Sequence, residues 1–339
     1  FMINQGNYEK ALETYSSLVE KYPADNVAQN NLAVAAFYAM DFSRALEVGR
    51  EVAKRYPTLS AYGANLALYA MYAGRFEEAL TVAKSVIEMD PSSAYALTVL
   101  ALSSAVAGDL AAAEQTYQQM KGLDQYARSI APEGLADLAA HQGNWSAAVG
   151  ILDRAIEDEL ALNATQTVAL KQVMRAEFLL QMDEREQARA AVAAALEASR
   201  GDFAVQVPAA ISLITLGDLA AAESIAAELG KSLSQPKRAY AFSIRALIHS
   251  ANGEYDAAIE AANDAVSTMD LWLTRYLRAT VLLAAGRASD ATDDLANCQE
   301  RIGEGIAVFL NDRPSLRYLK KLEAARDAAG MAPPPAAQP

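Results

Sequence analysis

The chain has 339 residues and a net charge of −13, so it lacks the basic surface that displaces counterions from phosphates, and neither nucleic acid nor an anionic membrane is expected as a partner. Hydrophobic residues make up 53% of it but aromatics only 7%, which leaves alanine and leucine as the bulk of the apolar content and favours helix. Cys298 stands alone, which excludes an intrachain disulfide or a paired-cysteine zinc site and suits a small buried apolar residue; no apolar run reaches the roughly 18 residues of a membrane span.

In chain order, the first element is GNYEKALETYSSLVEKYP from Gly6: a turn glycine, an aromatic, an alanine, then a helix that stops at proline. This reads as the second half of a helix pair. Residues 1–5 are expected to be the stub of its first helix, and the chain is expected to be a piece of a longer protein. The same turn then recurs as MDFSRA, GRFEEA, GDLAAA, GNWSAA, DEREQA, GDLAAA, GEYDAA and GRASDA, with the alanines at 11, 45, 79, 113, 148, 188, 222, 258 and 291. The intervals are 34, 34, 34, 35, 40, 34, 36 and 33 residues, a period that belongs to stacked helix–turn–helix units. Gly74, Gly108, Gly143, Gly217, Gly253 and Gly286 end the first helix of a pair, where the left-handed conformation costs glycine least. Met40-Asp41 and Gln181-Met182-Asp183 stand in for glycine twice, and looser turns are expected there.

Other departures are local. The 40-residue interval spans IEDELALNATQT and predicts a longer loop or extended helices. Pro132 and Pro208 fall where two first helices should already be running, which predicts a late start or a kink. Beyond the ninth turn the register is lost. Asp312 is expected to cap a last helix with Pro314 in its first turn, and Leu316, Leu319 and Leu322 form one apolar face against the last repeat. Residues 331–339 are proline-rich and expected to be disordered.

With nine turns in phase, the chain resembles a tetratricopeptide-repeat (TPR) array over residues 1–301. That family places a small residue twelve positions before the turn alanine, and here Ala33, Ala67, Ala101, Ala136, Ala176, Ala210, Ala246 and Ala279 supply it. The resemblance implies an all-α, right-handed α-α superhelix of eight complete helix pairs, with a leading half repeat over 1–23 and a C-terminal capping segment and helix over 302–330. It also implies a non-catalytic scaffold without cofactors, which holds a protein or extended peptide along the concave face of the first helices. Asparagine fourteen residues before the turn alanine often bonds the peptide backbone in such proteins; Asn31 and Asn65 hold that place. Val34, Tyr38, Leu68, Tyr72, Tyr95, Val99 and Leu102 share the implied groove. One branch clamps a terminal carboxylate with lysine and arginine, but the matching residues here are Ala61 and Asn65. The alanine-rich acidic character and the ending AVFLNDRPSLRYLKKLEAARDAAG are similar to TPR regions of bacterial multidomain proteins, some with a serine/threonine kinase. That likeness implies a docking arm of a signalling enzyme in the cytoplasm or periplasm; a structural oligomerisation module is the remaining alternative.

Catalytic patterns are scarce. LGKS at Leu229–Ser232 ends like a phosphate loop, but Ile225 occupies the place of its first glycine, and the GEG at Gly303–Gly305 lacks a third glycine. Glu133, Asp137 and His141 share one helix face at spacings of four and read as a solvated polar stripe with an Asp–His pair rather than a metal site. Arg175, Arg245 and Arg278 replace the leucine of earlier repeats; their stems are expected to pack while their heads reach water or a carbonyl.

Overall fold

Alanine at every close crossing and an Asx residue at several helix starts direct this chain into short helices that stack. A computed structural model describes residues 8–162, 164–199, 201–309 and 313–332. All regular structure among them is helical, and the residues group into two compact units.

The first unit lies within Phe1–Ala131 and Arg301–Pro314. It holds α1 (Tyr8–Lys21), α2 (Asn26–Tyr38), α3 (Phe42–Arg55), α4 (Ser60–Tyr72), α5 (Phe76–Met89), α6 (Ala94–Val106), α7 (Leu110–Met120), the start of α8 (Gln125–His141) and the short α18 (Ile302–Gly305). The second lies within Pro132–Glu300 and Ser315–Pro339. It holds the rest of α8, then α9 (Trp145–Ala161), α10 (Thr165–Gln181), α11 (Arg185–Ala198), α12 (Phe203–Leu216), α13 (Leu219–Gly230), α14 (Gln235–Ala251), α15 (Tyr255–Thr268), α16 (Trp272–Ala284), α17 (Ala288–Glu300) and α19 (Arg317–Ala328). The helices from α2 to α17 form the eight expected pairs, and α1 precedes them.

Caps set the starts. Asp41, Asp109 and Asp218 accept the backbone N–H three residues on, at 3.0, 3.0 and 3.2 Å, and Asn144 does the same at 3.3 Å. Each such cap contributes about 1 kcal/mol to its helix. The alanines explain the stacking: all nine turn alanines and all eight crossing alanines are at most 1% exposed, so backbones approach where a longer side chain would hold them apart.

All six turn glycines have φ between 71° and 87°, as expected. The two substituted turns are not looser, however. Met40 and Asp183 take up the same left-handed conformation, at φ 66° and 60°. Met40 N–H donates to Phe37 and Asp41 N–H to Ala36, the pattern that Gly74 and Arg75 make with Met71 and Ala70. Stacking on both sides imposes the tight turn on residues that resist it. Left-handed backbone costs an L-residue about 1–2 kcal/mol, of which glycine's extra unfolded-state freedom takes back about 0.5–1. Met40→Gly is therefore expected to raise stability by about 0.5–1 kcal/mol in urea unfolding, and Asp183→Gly by less, because aspartate tolerates this region better. A loss of stability in Met40→Gly would show that the methionine side chain, not the strain, matters there.

The other departures also resolve. The 40-residue interval is taken up by longer helices, since α9 and α10 have 17 residues each. Neither proline delays its helix: Pro132 lies inside α8 and Pro208 inside α12. Cys298 is fully buried and its carbonyl accepts Trp272 Nε1–H at 2.8 Å. The expected Asp312 cap lies outside the described residues, and α19 starts at Arg317, three residues past Pro314. Leu316, Leu319 and Leu322 are buried, and α19 packs on α16 and α17.

Candidate functional site

In the first unit the expected groove residues separate into two groups. Leu68, Tyr72, Val99 and Leu102 are buried, at 7, 2, 0 and 1% exposure, and present no open surface. Two causes act. First, α6 is apolar almost all round and is covered except at Tyr95, Leu100 and Val106. Second, Tyr72 belongs to an aromatic cluster, with the Phe37 ring edge-on at 4.8 Å and the Phe42 ring stacked at 5.4 Å. The other group stays open to water. Asn31, Val34, Tyr38 and Asn65 are half-buried, and Tyr95 is 45% exposed. Tyr38 stacks on Tyr8 at 5.9 Å, Tyr95 meets Tyr126 at 5.3 Å, and Asn65 Nδ2 donates to Asn30 Oδ1 at 3.0 Å.

Part of this face carries a segment of the chain itself. The Tyr72 hydroxyl donates to the Ala307 carbonyl at 3.0 Å, across 235 residues of sequence. Gly303 lies against the end of α4 so closely that a Cβ there would collide with the Met71 carbonyl oxygen and stand 2.8 Å from that of Tyr72. Only glycine permits that approach. Arg313 donates to Ser129 Oγ at 3.4 Å and sits 5.6 Å over the Tyr126 ring. The two glycines at 303 and 305, outside the repeat register, were the one sequence signal of this contact.

In the second unit the stripe on α8 is not solvated. Glu133 and Asp137 are 0% and 1% exposed, because each is paired with a cation from a distant helix. Lys171 of α10, itself fully buried, bonds Glu133 at 2.9 Å and Glu159 of α9 at 2.8 Å, which ties three helices together. Asp137 takes α19. Its carboxylate accepts the Leu316 N–H, the Arg317 N–H at 3.3 Å and Arg317 Nη1 at 3.0 Å. The same guanidinium reaches Glu177 of α10 through Nε at 3.2 Å, and Lys321 Nζ reaches that carboxylate at 3.0 Å. Burial pushes the Glu177 carboxyl up, but Arg317 and Lys321 outweigh it and hold it down at about 2. His141 is half-buried, and burial lowers its imidazole below the usual range. Among the described residues no cluster of three metal-ligating side chains occurs.

The three repeat-register arginines pair with carboxylates. Arg175 bonds Asp153 at 2.5 Å, Arg245 bonds Glu223 at 3.0 Å, and Arg278 bonds Asp294 at 2.7 Å. Each links its helix to a neighbour in the stack, so they form a ladder of ion pairs rather than a binding row. Asp294 also takes Arg275 at 3.0 Å, so this carboxylate, its side chain 2% exposed, is paired with two guanidinium groups. No helix among the described residues is long and apolar enough to cross a membrane.

A sequence model of the tetratricopeptide repeat matches residues 3–60, 65–128 and 207–270, together more than half of the chain. None of the curated proteins matches it. Among solved structures, the chain is similar to a tetratricopeptide repeat protein from Parabacteroides merdae, with 17% identity over 83% of this chain and 94% of that one and a TM-score of 0.46. It is similar to human IFIT1, solved as a dimer with m7Gppp-AAAA, with 13% identity over 88% and 79% of the two chains and a TM-score of 0.50. A monomeric IFIT1 mutant with Gppp-AAAA gives 14% identity over 94% and 76% and a TM-score of 0.53. At such identities the likeness is one of fold alone.

Proposed function

The chain belongs to the tetratricopeptide-repeat family, and from that premise we propose that it is a non-catalytic scaffold, part of a larger bacterial protein, that holds an extended protein segment on the face of α2, α4 and α6. The observation that carries this reading is the bond from Tyr72 to the Ala307 carbonyl: the face already receives main chain, through a tyrosine aimed at a peptide oxygen. Beside it Asn31, Val34, Tyr38, Asn65 and Tyr95 keep exposed surface. An amide donates and accepts at once, which suits an extended backbone, and tyrosine offers apolar area with a polar tip. A nucleic-acid ligand of the kind seen with IFIT1 fits poorly with a net charge of −13.

Each lost amide bond to a bound backbone costs about 0.5–1.5 kcal/mol. Asn31→Ala combined with Asn65→Ala is therefore expected to weaken partner binding about tenfold, measured by calorimetry with a partner recovered by crosslinking from the source cell. Thermal unfolding is followed alongside, because Asn65 also bonds Asn30. Unchanged affinity in a folded double variant would remove the site from this face. An unfolded one would assign both asparagines to holding the helices together.

A further inference from the structure

The carboxylates of Asp137 and Glu177 come from two different helices, and neither is more than 10% exposed. Two anions held so close in a dry place require a cation. In this structure α19 supplies it, and the way it does so resembles binding more than core packing. The start of α19 has no side-chain cap of its own; the Leu316 and Arg317 N–H groups are capped by Asp137, on a helix about 180 positions earlier in the sequence. A twelve-residue helix is marginal in water when isolated, so the order of α19 depends on docking. Within α19, Arg317, Lys320, Lys321 and Arg326 outnumber Glu323 and Asp327, four basic groups to two acidic in a chain of net charge −13. Arg317 and Lys321 are one turn apart and share Glu177. Between them Tyr318 meets Trp272 edge-on at 6.1 Å and Tyr276 at 6.4 Å, an aromatic floor supplied by α16.

We propose that Asp137, Glu177, Trp272 and Tyr276 form a receptor for the first turns of a basic amphipathic helix, that α19 is its tethered occupant, and that a partner helix with arginine, an adjacent aromatic residue and lysine one turn on exchanges with it. The carboxylate of Asp137 caps the incoming helix, and the guanidinium spans both anions. Lys321 keeps 36% of its side chain exposed, so this end of the latch is open to competition. The site belongs to the second unit, and the proposal does not depend on the reading of the face of α2, α4 and α6.

The test uses the full chain and a labelled synthetic peptide with the sequence of residues 313–332. Peptide binding is read by fluorescence anisotropy, and opening of α19 by amide hydrogen exchange in the wild type. The peptide is expected to bind Lys321→Ala at least tenfold more tightly than wild type, because the resident helix is weakened while both carboxylates remain. Excess peptide is expected to raise exchange across α19 at least tenfold and leave α14 to α17 unchanged. A peptide carrying Arg317→Glu and Lys321→Glu should do neither. Exchange in α19 as slow as in α16 and indifferent to peptide would overturn the proposal and leave α19 a permanent cap. Equal binding of the charge-reversed peptide would overturn it as well. Because the exchange measurement is made on the wild type, it decides the matter even where a variant fails to fold.

Discussion

Replacing Lys171 with methionine is expected to lower stability by about 3–5 kcal/mol, the largest effect of any single substitution considered for this chain. The ammonium lies between two carboxylates at 2.9 and 2.8 Å, and its own side chain is 0% exposed. The Glu133 side chain on one side is 1% exposed and that of Glu159 on the other 12%. Methionine fills the same space but withdraws the charge that made burial of two anions tolerable. An apolar replacement of all three (Glu133→Leu, Lys171→Met and Glu159→Leu) is expected to recover most of the loss, because desolvating the triad offsets much of its attraction. Arg50 and Glu78 provide the contrast. Their pair at 2.5 Å is 49% and 30% exposed, so Arg50→Ala is expected to cost less than about 1 kcal/mol. Denaturant unfolding of the three variants settles the ranking. A loss below 1 kcal/mol in Lys171→Met would mean that water reaches the triad and that it does not bind α8, α9 and α10 together.

The triad also shows where reading the sequence stops. Its members lie 12 and 38 residues apart and sit on three helices, so no local spacing connects them. Seen on α8 alone, Glu133 and Asp137 fall on one polar stripe, and water is the natural partner to assign. Their actual partners come from α10 and α19, and the second is 180 positions away. What repeats was legible because each copy restates the same local physics: the turn glycine needs φ > 0, the crossing alanine needs space for a backbone, and the capping aspartate needs an N–H three residues on. Even Met40 and Asp183 obey that pattern against their own preference. What occurs once was not legible. Gly303 reads as a stray fragment of a phosphate loop until its contact with the end of α4 shows why no other residue fits there. Among the expected groove residues the register could not tell which positions the chain itself covers. Tyr72 was assigned to a ligand, and its hydroxyl is taken by Ala307.

Ala246→Leu and Ala101→Leu are each expected to destabilise by about 1–3 kcal/mol, and they test the repeat register itself. Both alanines hold the place twelve residues before a turn alanine, where two helices of a pair cross. Ala246 is 1% exposed and packs with Ala258 at 0%, Ala262 at 2% and Val281 at 1%, while Ala101 is 0% exposed. All three neighbours at the first site are small or branched side chains on α15 and α16, with no flexible end that can swing away. Leucine adds three carbons at a density that has no matching void, so either the side chain leaves its preferred rotamer or the helices move apart. Moving them would disturb the next crossing too, because each helix of the array touches both its partner and the following pair. A control separates overpacking from a general dislike of leucine. Ala111 lies on the exposed side of α7, and Ala111→Leu is expected to stay within about 0.5 kcal/mol of wild type. Urea unfolding midpoints, compared at equal m-values, measure all three. If Ala246→Leu and Ala101→Leu prove as mild as Ala111→Leu, the close crossing at this register position is not what holds the pairs together, and the eightfold recurrence of alanine there would need another cause.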